Sequence, residues 1–303
     1  DILNLYMMGD DIVRTEESGE EPDTAEDFET EKLDMIKTRQ NLLNEWKVTE
    51  VCFALISGNI DEAVFYKTLE LGTNLLTRRN LECQSEFIRL AYNSDPDGHF
   101  FKHLNQAILA CREWVLETQY DPLGRRKVQI DGERIRVCMS ALLFMQQLCE
   151  GHNIESQNMV REQSSFKRFT VNLLASCISL VEAIVARADI YSHMPPEHQY
   201  LLIRIFEFLT DAVQGPCSDN QVTIGTYGLL NACKIILEEQ DPLPEVDDRE
   251  KLFDGFYFVK IRCLLLLSAI TENRKADDAV MKIISSKVTN GLLNNVYEEL
   301  HFL

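Results

Sequence analysis

Proline is nearly absent from the interior of this chain, and this limits what the chain can fold into. No proline lies between Pro22 and Pro96 or between Pro122 and Pro195. Because proline removes a backbone donor and breaks helices, long proline-free stretches permit long helices. No alternating apolar–polar pattern typical of a half-buried strand interrupts them. We therefore predict an all-α protein.

Apolar residues recur at the three- and four-residue spacing of amphipathic helices. The three clearest stripes are Ile135, Cys138, Leu142, Met145 and Cys149; Phe166, Phe169, Leu173, Cys177, Leu180 and Ile184; and Leu202, Ile205, Leu209 and Val213. Each stripe predicts a face that packs into a core. The pattern predicts helices over 31–57, 60–78, 81–93, 98–118, 133–150, 155–162, 165–188, 197–214, 220–239, 250–272, 276–286 and 288–300.

Many helices with short connections favour an armadillo- or HEAT-like stack of antiparallel helix pairs, that is, a segment of an α-solenoid. No sequence repeat of fixed period supports this architecture, which rests on helix and loop lengths. The predicted organisation is an acidic flexible linker over 1–30, a helical-repeat segment over 31–118, a loop over 119–132 and a second helical domain over 133–303.

The charge balance argues against nucleic acid as a partner. The formal net charge is −19, and residues 10–31 contribute eleven acids and a single base, Arg14. Such a chain repels phosphate backbones, and the cluster Arg125–Lys127 is too small to reverse the effect.

The nine cysteines are scattered, form no Cys-x-x-Cys pair and mostly occupy apolar helix positions. This pattern is typical of reduced, buried thiols in the cytosol. No apolar run approaches the ~20 residues of a membrane-spanning helix. We therefore expect no membrane span and a soluble chain, and the absence of an initiator methionine suggests a piece of a longer protein.

Motifs typical of enzymes are missing: there is no P-loop, no Gly-x-Ser-x-Gly elbow and no glycine-rich dinucleotide turn. Cys149 and His152 are close in sequence, which leaves a cysteine hydrolase as one hypothesis. Since Cys149 lies on an apolar stripe, an inert thiol is the favoured interpretation. We predict that the chain is not an enzyme.

Two predicted helix ends, within Leu142–Gln163 and Leu209–Gln221, carry the remaining polar pattern. Glu150 and His152 follow the first helix. The second helix has a polar stripe that consists of Arg204, Glu207, Asp211 and Gln214. Helix C-termini have unpaired carbonyls and partial negative charge, and carboxylates are ligands that Ca²⁺ prefers. Spacing alone nevertheless favours solvated helix faces over a cation site.

These two stretches resemble a known family. The segment Leu143–Asn153 (LFMQQLCEGHN), with the polar positions of 157–163, resembles the signature of the associated homology domain of inositol trisphosphate and ryanodine receptors. Phe208–Cys217 (FLTDAVQGPC), followed by Asn220 and Gln221, resembles its second block. The resemblance covers about 135–275, and segments near 235–243 and 265–270 are closer to the inositol trisphosphate branch.

The resemblance implies a cytosolic scaffold segment of a homotetrameric calcium-release channel at the endoplasmic reticulum. Its partners would be other segments of the same polypeptide and regulatory proteins. The family's activating Ca²⁺ site would include Glu150 and Asp211 as ligands, with His152 and Gln214 in support. Asp211 stands where the family usually has glutamate, so a shorter side chain must reach a ligand distance of about 2.3–2.6 Å.

The same resemblance implies a third ligand, a backbone carbonyl from a segment beyond the pore. This chain does not contain that segment, so weak Ca²⁺ binding by the isolated chain is expected. A freestanding helical-repeat adaptor that binds protein partners remains the alternative class. The length of the parent transcript, and whether a pore follows residue 303, would separate the two.

Overall fold

The computed structural model describes residues 25–118, 132–163, 168–187, 195–238 and 249–301. Within these ranges the chain forms fourteen α-helices and no strand, so the predicted all-α class is confirmed. The helices are α1 (Ala25–Glu45), α2 (Val48–Ser57), α3 (Glu62–Leu76), α4 (Leu81–Asn93), α5 (His99–Glu117), α6 (Glu133–Cys149), α7 (Ile154–Arg161), α8 (Leu173–Val185), α9 (Pro196–Val213), α10 (Ser218–Thr226), α11 (Leu229–Glu238), α12 (Arg249–Thr271), α13 (Ala279–Lys287) and α14 (Asn290–His301).

The helices stack in three rows, and each helix contacts its neighbours in the same row. Row A contains α1, α3, α6, α9 and α12; row B contains α4, α7, α10 and α13, which are all shorter than the row A helices; row C contains α2, α5, α8, α11 and α14. From α3 onward the chain visits rows A, B and C in turn, so the repeating unit consists of three helices, whereas the first unit, α1 and α2, has no row B helix. The predicted stack of helices is confirmed, with a third helix added to the expected pair in every unit after the first.

The core follows the predicted stripes of α6 and α9, whose apolar positions are all buried. Four aromatic rings join neighbouring units: Phe53 stacks on Phe100 with centroids 4.6 Å apart, and Phe87 meets Phe144 edge-on at 5.2 Å. Such pairs stabilise beyond the area they bury. Gly72 lets α3 approach α6 closely, since a Cβ there would lie 2.7 Å from Cε2 of Phe144.

Local sequence explains several helix starts. The side chains of Asn80, Asn153 and Asn172 each accept a hydrogen bond from the backbone N–H three residues later, which satisfies a donor at the start of α4, α7 and α8. Asparagine is among the preferred residues at this position.

Some boundaries differ from those predicted. The helix predicted over 31–57 is two helices, because Lys47 adopts a left-handed conformation (φ 67°) and divides α1 from α2. The helix predicted over 220–239 likewise divides into α10 and α11. α1 begins at Ala25, inside the predicted linker, while residues 1–24 and 119–131 of the predicted linker and loop lie outside the described ranges.

The predicted start of the seventh helix at residue 165 was wrong. α8 begins at Leu173, and Phe169, which we placed on its buried stripe, lies before the helix with 66% of its surface exposed. Asn172 caps the helix and sets its start, a local signal that outweighed the apolar spacing upstream. Phe166 lies outside the described residues. The remaining four residues of the stripe are buried.

One side-chain contact recurs from unit to unit and holds the ends of the row A helices. In each case a buried glutamine donates two hydrogen bonds from Nε2 to carbonyl oxygens three residues apart at the end of the next row A helix. The four cases are Gln40 to Asn74 and Thr77, Gln84 to Gln147 and Glu150, Gln157 to Asp211 and Gln214, and Gln221 to Ala269 and Glu272. We call these four residues the glutamine ladder.

The glutamine ladder solves a general problem of helix ends. The last four carbonyls of a helix have no intrahelical partner, and buried carbonyls without partners are costly. In the next three units the ladder residue is the fourth of its row B helix: Gln84 in α4, Gln157 in α7 and Gln221 in α10. The ladder therefore sets the register of one unit against the next.

Candidate functional site

The end of α6 turns sharply at Glu150. Glu150 leaves the helix with an extended conformation (φ −55°, ψ 141°), and Gly151 and His152 follow with φ of 79° and 63°. Glycine suits the first left-handed position, since other side chains are strained there. Glycine is also required sterically at this position, because a Cβ on Gly151 would overlap the side chain of Arg79 from the turn after α3.

The end of α9 has the same shape and lies against the first turn. Asp211 is in the last turn of α9, Gln214 is extended (φ −62°, ψ 147°) and Gly215 has φ 99°. A Cβ on Gly215 would lie 2.5 Å from Cβ of His152, so His152 packs directly on this glycine. The structure thus brings together the two helix ends that the sequence singled out.

Glu150 is half-buried and electrostatically strained. Burial raises the pKa of its carboxyl group above the usual value, and the nearby charge of Asp211 raises it further. Hydrogen bonds from the Arg79 backbone and the Gln147 side chain, together with the charge of Arg79, oppose this rise in pKa only in part. Its Oε2 atom is buried without a hydrogen-bond partner. Few buried polar atoms lack a partner in folded proteins, so this oxygen requires an explanation.

The pKa of the Asp211 carboxyl group is also raised, and several neighbouring groups oppose this rise. Burial raises the pKa of its carboxyl group, and Glu207 adds to the rise. A hydrogen bond from Nε2 of Gln146 to Oδ2, at 2.9 Å, lowers the pKa, as do the nearby charges of His152 and Arg262. Both carboxyl groups have a pKa raised by burial, and the charge of Asp211 also disfavours the charge of Glu150, an arrangement that a bound cation would relieve.

A polar network that includes Asp211 joins three neighbouring helices of row A, α6, α9 and α12. Gln146 accepts from Arg204 at 3.1 Å while it donates to Asp211. Glu207 pairs with Arg204 at 3.0 Å and with Arg262 of α12 at 2.9 Å. The predicted polar stripe of α9 is therefore not a freely solvated face. Sequence spacing indicated Arg204 and Glu207, but the partners Gln146 and Arg262 carried no signal that could have found them.

The two supporting residues have different surroundings. His152 is exposed and contributes its position on Gly215 and its effect on the pKa of Asp211. Gln214 is half-buried, and its backbone oxygen accepts from Gln157 at 2.8 Å. Within the described ranges, no group of three or more His, Cys, Asp or Glu residues could hold a metal ion. The two helix ends thus present two carboxylates with hard oxygen atoms of the kind Ca²⁺ prefers, and further ligands would have to come from elsewhere.

The structure argues against the cysteine hydrolase hypothesis. Cys149 is fully buried, and burial raises the pKa of its thiol well above the usual value, with a further contribution from Asp211. Since the thiolate is the nucleophile, a buried thiol with a raised pKa is unreactive at neutral pH. All nine cysteines are free and buried, as the sequence predicted.

No helix in the described part of the chain is both long enough and apolar enough to cross a bilayer.

Comparison with known proteins places the two helix ends within one family match. Residues 132–237 match the family described as RyR and IP3R homology associated. The inositol 1,4,5-trisphosphate receptor itr-1 of Caenorhabditis elegans is 28% identical over 149 residues, which cover 47% of this chain and 5% of the relative. The matched part of the chain thus spans about one twentieth of the length of this curated relative. The resemblance stated from the two sequence blocks is confirmed.

Proposed function

From the match of residues 132–237 to the family described as RyR and IP3R homology associated, we propose that the chain is a non-enzymatic regulatory segment of an intracellular calcium-release channel. In this proposal Glu150 and Asp211 contribute two ligands of a Ca²⁺-sensing site that is coupled to gating. His152 and Gln214 support the two ligands from the adjoining turns.

The observation that carries the proposal is the state of Glu150. Its Oε2 atom is buried and has no hydrogen-bond partner, and the charge of Asp211 raises its pKa. Removing a carboxylate oxygen from water without a partner costs free energy, and such a cost is typical of functional sites. A divalent cation would supply the missing partner and offset the repulsion between the two carboxylates.

Coupling to gating follows from an incomplete site. Because the described residues supply two carboxylates, Ca²⁺ would have to bridge them to an oxygen of another segment. Ca²⁺ then favours the conformation in which that segment lies close, in proportion to its difference in affinity for the two states. Coupling free energies between sites are about 1–3 kcal/mol.

The proposed setting also comes from the family. We place the segment on the cytosolic side of the endoplasmic reticulum membrane within a homotetramer, with other segments of the same polypeptide and regulatory proteins as partners. The named relative is an inositol 1,4,5-trisphosphate receptor.

Substitution of the ligands tests this function. In the full-length channel polypeptide, E150A and D211A should each raise the Ca²⁺ concentration for half-maximal activation by about tenfold or more, since each removes a direct ligand. Single-channel recording over a Ca²⁺ series measures this value. E113A removes an exposed acid of α5 and should change it by less than about twofold. Unchanged Ca²⁺ sensitivity in both E150A and D211A would overturn the proposal.

One observation favours the adaptor as a second candidate. Phe258 and Leu265, seven residues apart on one face of α12, are 51% and 45% exposed. Apolar residues on the outer face of a helical stack are typical of a surface that a protein partner covers. An adaptor would bind through such a face independently of Ca²⁺, whereas the channel segment would respond to Ca²⁺ through Glu150 and Asp211.

A further inference from the structure

We infer that Gln84 and Gln157 are positioning residues of the proposed Ca²⁺ site: each holds, from the preceding unit, the turn that carries one of the two carboxylates. This inference rests on the proposed function of Glu150 and Asp211. Neither glutamine shares a helix with the carboxylate that it positions, and neither lies in one of the two turns.

The contacts are specific to the residues that bear the carboxylates. Nε2 of Gln84 donates to the carbonyl of Gln147 at 2.9 Å and to that of Glu150 itself at 3.0 Å. Nε2 of Gln157 donates to the carbonyl of Asp211 itself at 2.7 Å and to that of Gln214 at 2.8 Å. One amide group thus holds the carbonyl of a ligand residue and a second carbonyl three residues away.

Two bonds placed three residues apart control where the side chain can point. At Glu150 the backbone leaves the helix, so its direction there is not set by the intrahelical ladder. The pair of bonds from Gln84 holds this change of direction in place and with it the Cα–Cβ bond of Glu150. Both glutamines are almost fully buried, so these hydrogen bonds form where water cannot replace them.

Each of the two glutamines accepts a hydrogen bond from an asparagine, Gln84 through its side chain and Gln157 through its backbone. Nδ2 of Asn153, the cap of α7, donates to Oε1 of Gln84 at 3.2 Å, which leaves the amide nitrogen facing the carbonyls. Nδ2 of Asn220 donates to the backbone carbonyl of Gln157 at 2.7 Å and to that of Ala212 at 2.8 Å. The second contact ties the end of α9 to the same group. Partners of this kind around metal ligands typically change metal affinity by 10–100-fold when they are removed.

The test compares leucine variants with a matched control in the assembled channel. Q84L and Q157L remove the two donated bonds and keep the volume of the side chain. Q163L is the control: Gln163 is equally buried, and its bonds go to Met159, Thr170 and Val171 rather than to either turn of the site. It therefore matches the loss of buried hydrogen bonds without touching the ligand residues.

Two measurements distinguish a positioning role of the glutamines from an effect on the stability of the protein. The first is the Ca²⁺ concentration that gives half-maximal thermal stabilisation of the purified assembly, which reports affinity by mass action. The second is Ca²⁺ activation of the channel. We expect Q84L and Q157L to weaken the apparent Ca²⁺ affinity about tenfold in both measurements. Q163L should keep an apparent Ca²⁺ affinity within about threefold of the wild-type value, even if the melting temperature of this variant falls.

Two milder substitutions keep the test valid if the leucine variants do not fold. Q84N and Q157N keep an amide but shorten its reach, so they should retain at most one of the two bonds and shift the affinity in the same direction. Wild-type Ca²⁺ affinity in all four variants, while E150A is shifted, would overturn the positioning role and leave the proposed function standing. If E150A and D211A are themselves unshifted, the proposed function fails, and the inference fails with it.

Discussion

At the scale of single residues, Glu150 carries an electrostatic cost that the fold relieves only in part. Its pKa is raised by burial and by Asp211, and one of its carboxylate oxygens lacks a partner. A group of this kind favours the protonated form in the folded state, so the native structure is less stable once the group ionises.

This cost predicts a pH-dependent effect of E150Q. Below the ordinary carboxyl pKa, wild type and variant are both neutral at this position and should be equally stable. As pH rises through the raised pKa of folded Glu150, the wild type loses stability that E150Q keeps. At about pH 8 the variant should therefore be more stable, by less than about 1 kcal/mol because the group is partly exposed to solvent.

Urea unfolding of the chain at about pH 4 and about pH 8 measures the difference. E113Q, in an exposed position on α5, serves as the control and should show no such dependence. A wild type more stable than E150Q at about pH 8 would contradict the assignment of strain to Glu150.

The sequence predicted the acidic residues of the candidate site but not their anchors. Glu150 and Asp211 could be singled out because two sequence blocks resemble a family, and the structure brings their turns together; their role with Ca²⁺ stays a prediction. Gln157 belongs to the first of these blocks, but neither its anchoring role nor that of Gln84 could be predicted, because a glutamine on a helix usually indicates a solvated face. Its true partners are carbonyls 54–66 residues away in sequence, which leave no trace in the residue types.

At the scale of helices, the apolar stripes predicted where helices lie better than where they end. The stripes of α6 and α9 are buried as predicted. The ends were missed where a single residue decides them: Lys47 divides α1 from α2, and Asn172 starts α8 eight residues after the predicted position. Spacing rules average over several residues, whereas caps and left-handed turns depend on one.

The contact of α3 with α6 gives a test at this scale. G72A would place a Cβ 2.7 Å from Cε2 of Phe144, inside the aromatic cluster, and overpacking of this kind costs about 1–3 kcal/mol. The better helix propensity of alanine offsets up to about 1 kcal/mol of that cost. We therefore expect the free energy of unfolding to fall.

G291A provides the opposite expectation. Gly291 is exposed near the start of α14, where the only atom close to an added Cβ is Oγ1 of Thr289 at 3.9 Å. This variant should be neutral or more stable by up to about 1 kcal/mol. Urea unfolding measures the free energy of unfolding of both variants. A G72A protein as stable as G291A would show that α3 and α6 are not in close contact.

At the scale of the whole molecule, the stack was predicted from helix lengths and its repeat was not. Gln84 and Gln157 are 73 residues apart, and Gln157 and Gln221 are 64 apart, so the unit has no fixed length. A search for a constant period therefore fails although the same contact recurs in three dimensions. The sequence predicted units of two helices, so it did not predict the row B helix as a third member of the unit. A pair is the simplest unit that helix and loop lengths indicate.

The large negative charge gives a prediction for the molecule as a whole. With a formal net charge of −19, repulsion between acids opposes the compact state, and salt screens this repulsion. The melting temperature should therefore rise between about 0.02 M and about 0.5 M sodium chloride. Scanning calorimetry measures it, with sucrose at equal osmolality as a control for effects other than screening. A fall in melting temperature would mean that the ion pairs of the described helices outweigh the net repulsion.

The glutamine ladder also bears on how such a chain can change over generations. Because side-chain bonds between units set the register, the connection from a row C helix to the next row A helix does not have to keep its length. Residues can be gained or lost there, as between α5 and α6, while Gln84 still meets the end of α6. Lineages can thus vary these connections without altering the stack, and the same positions should accept an inserted peptide tag.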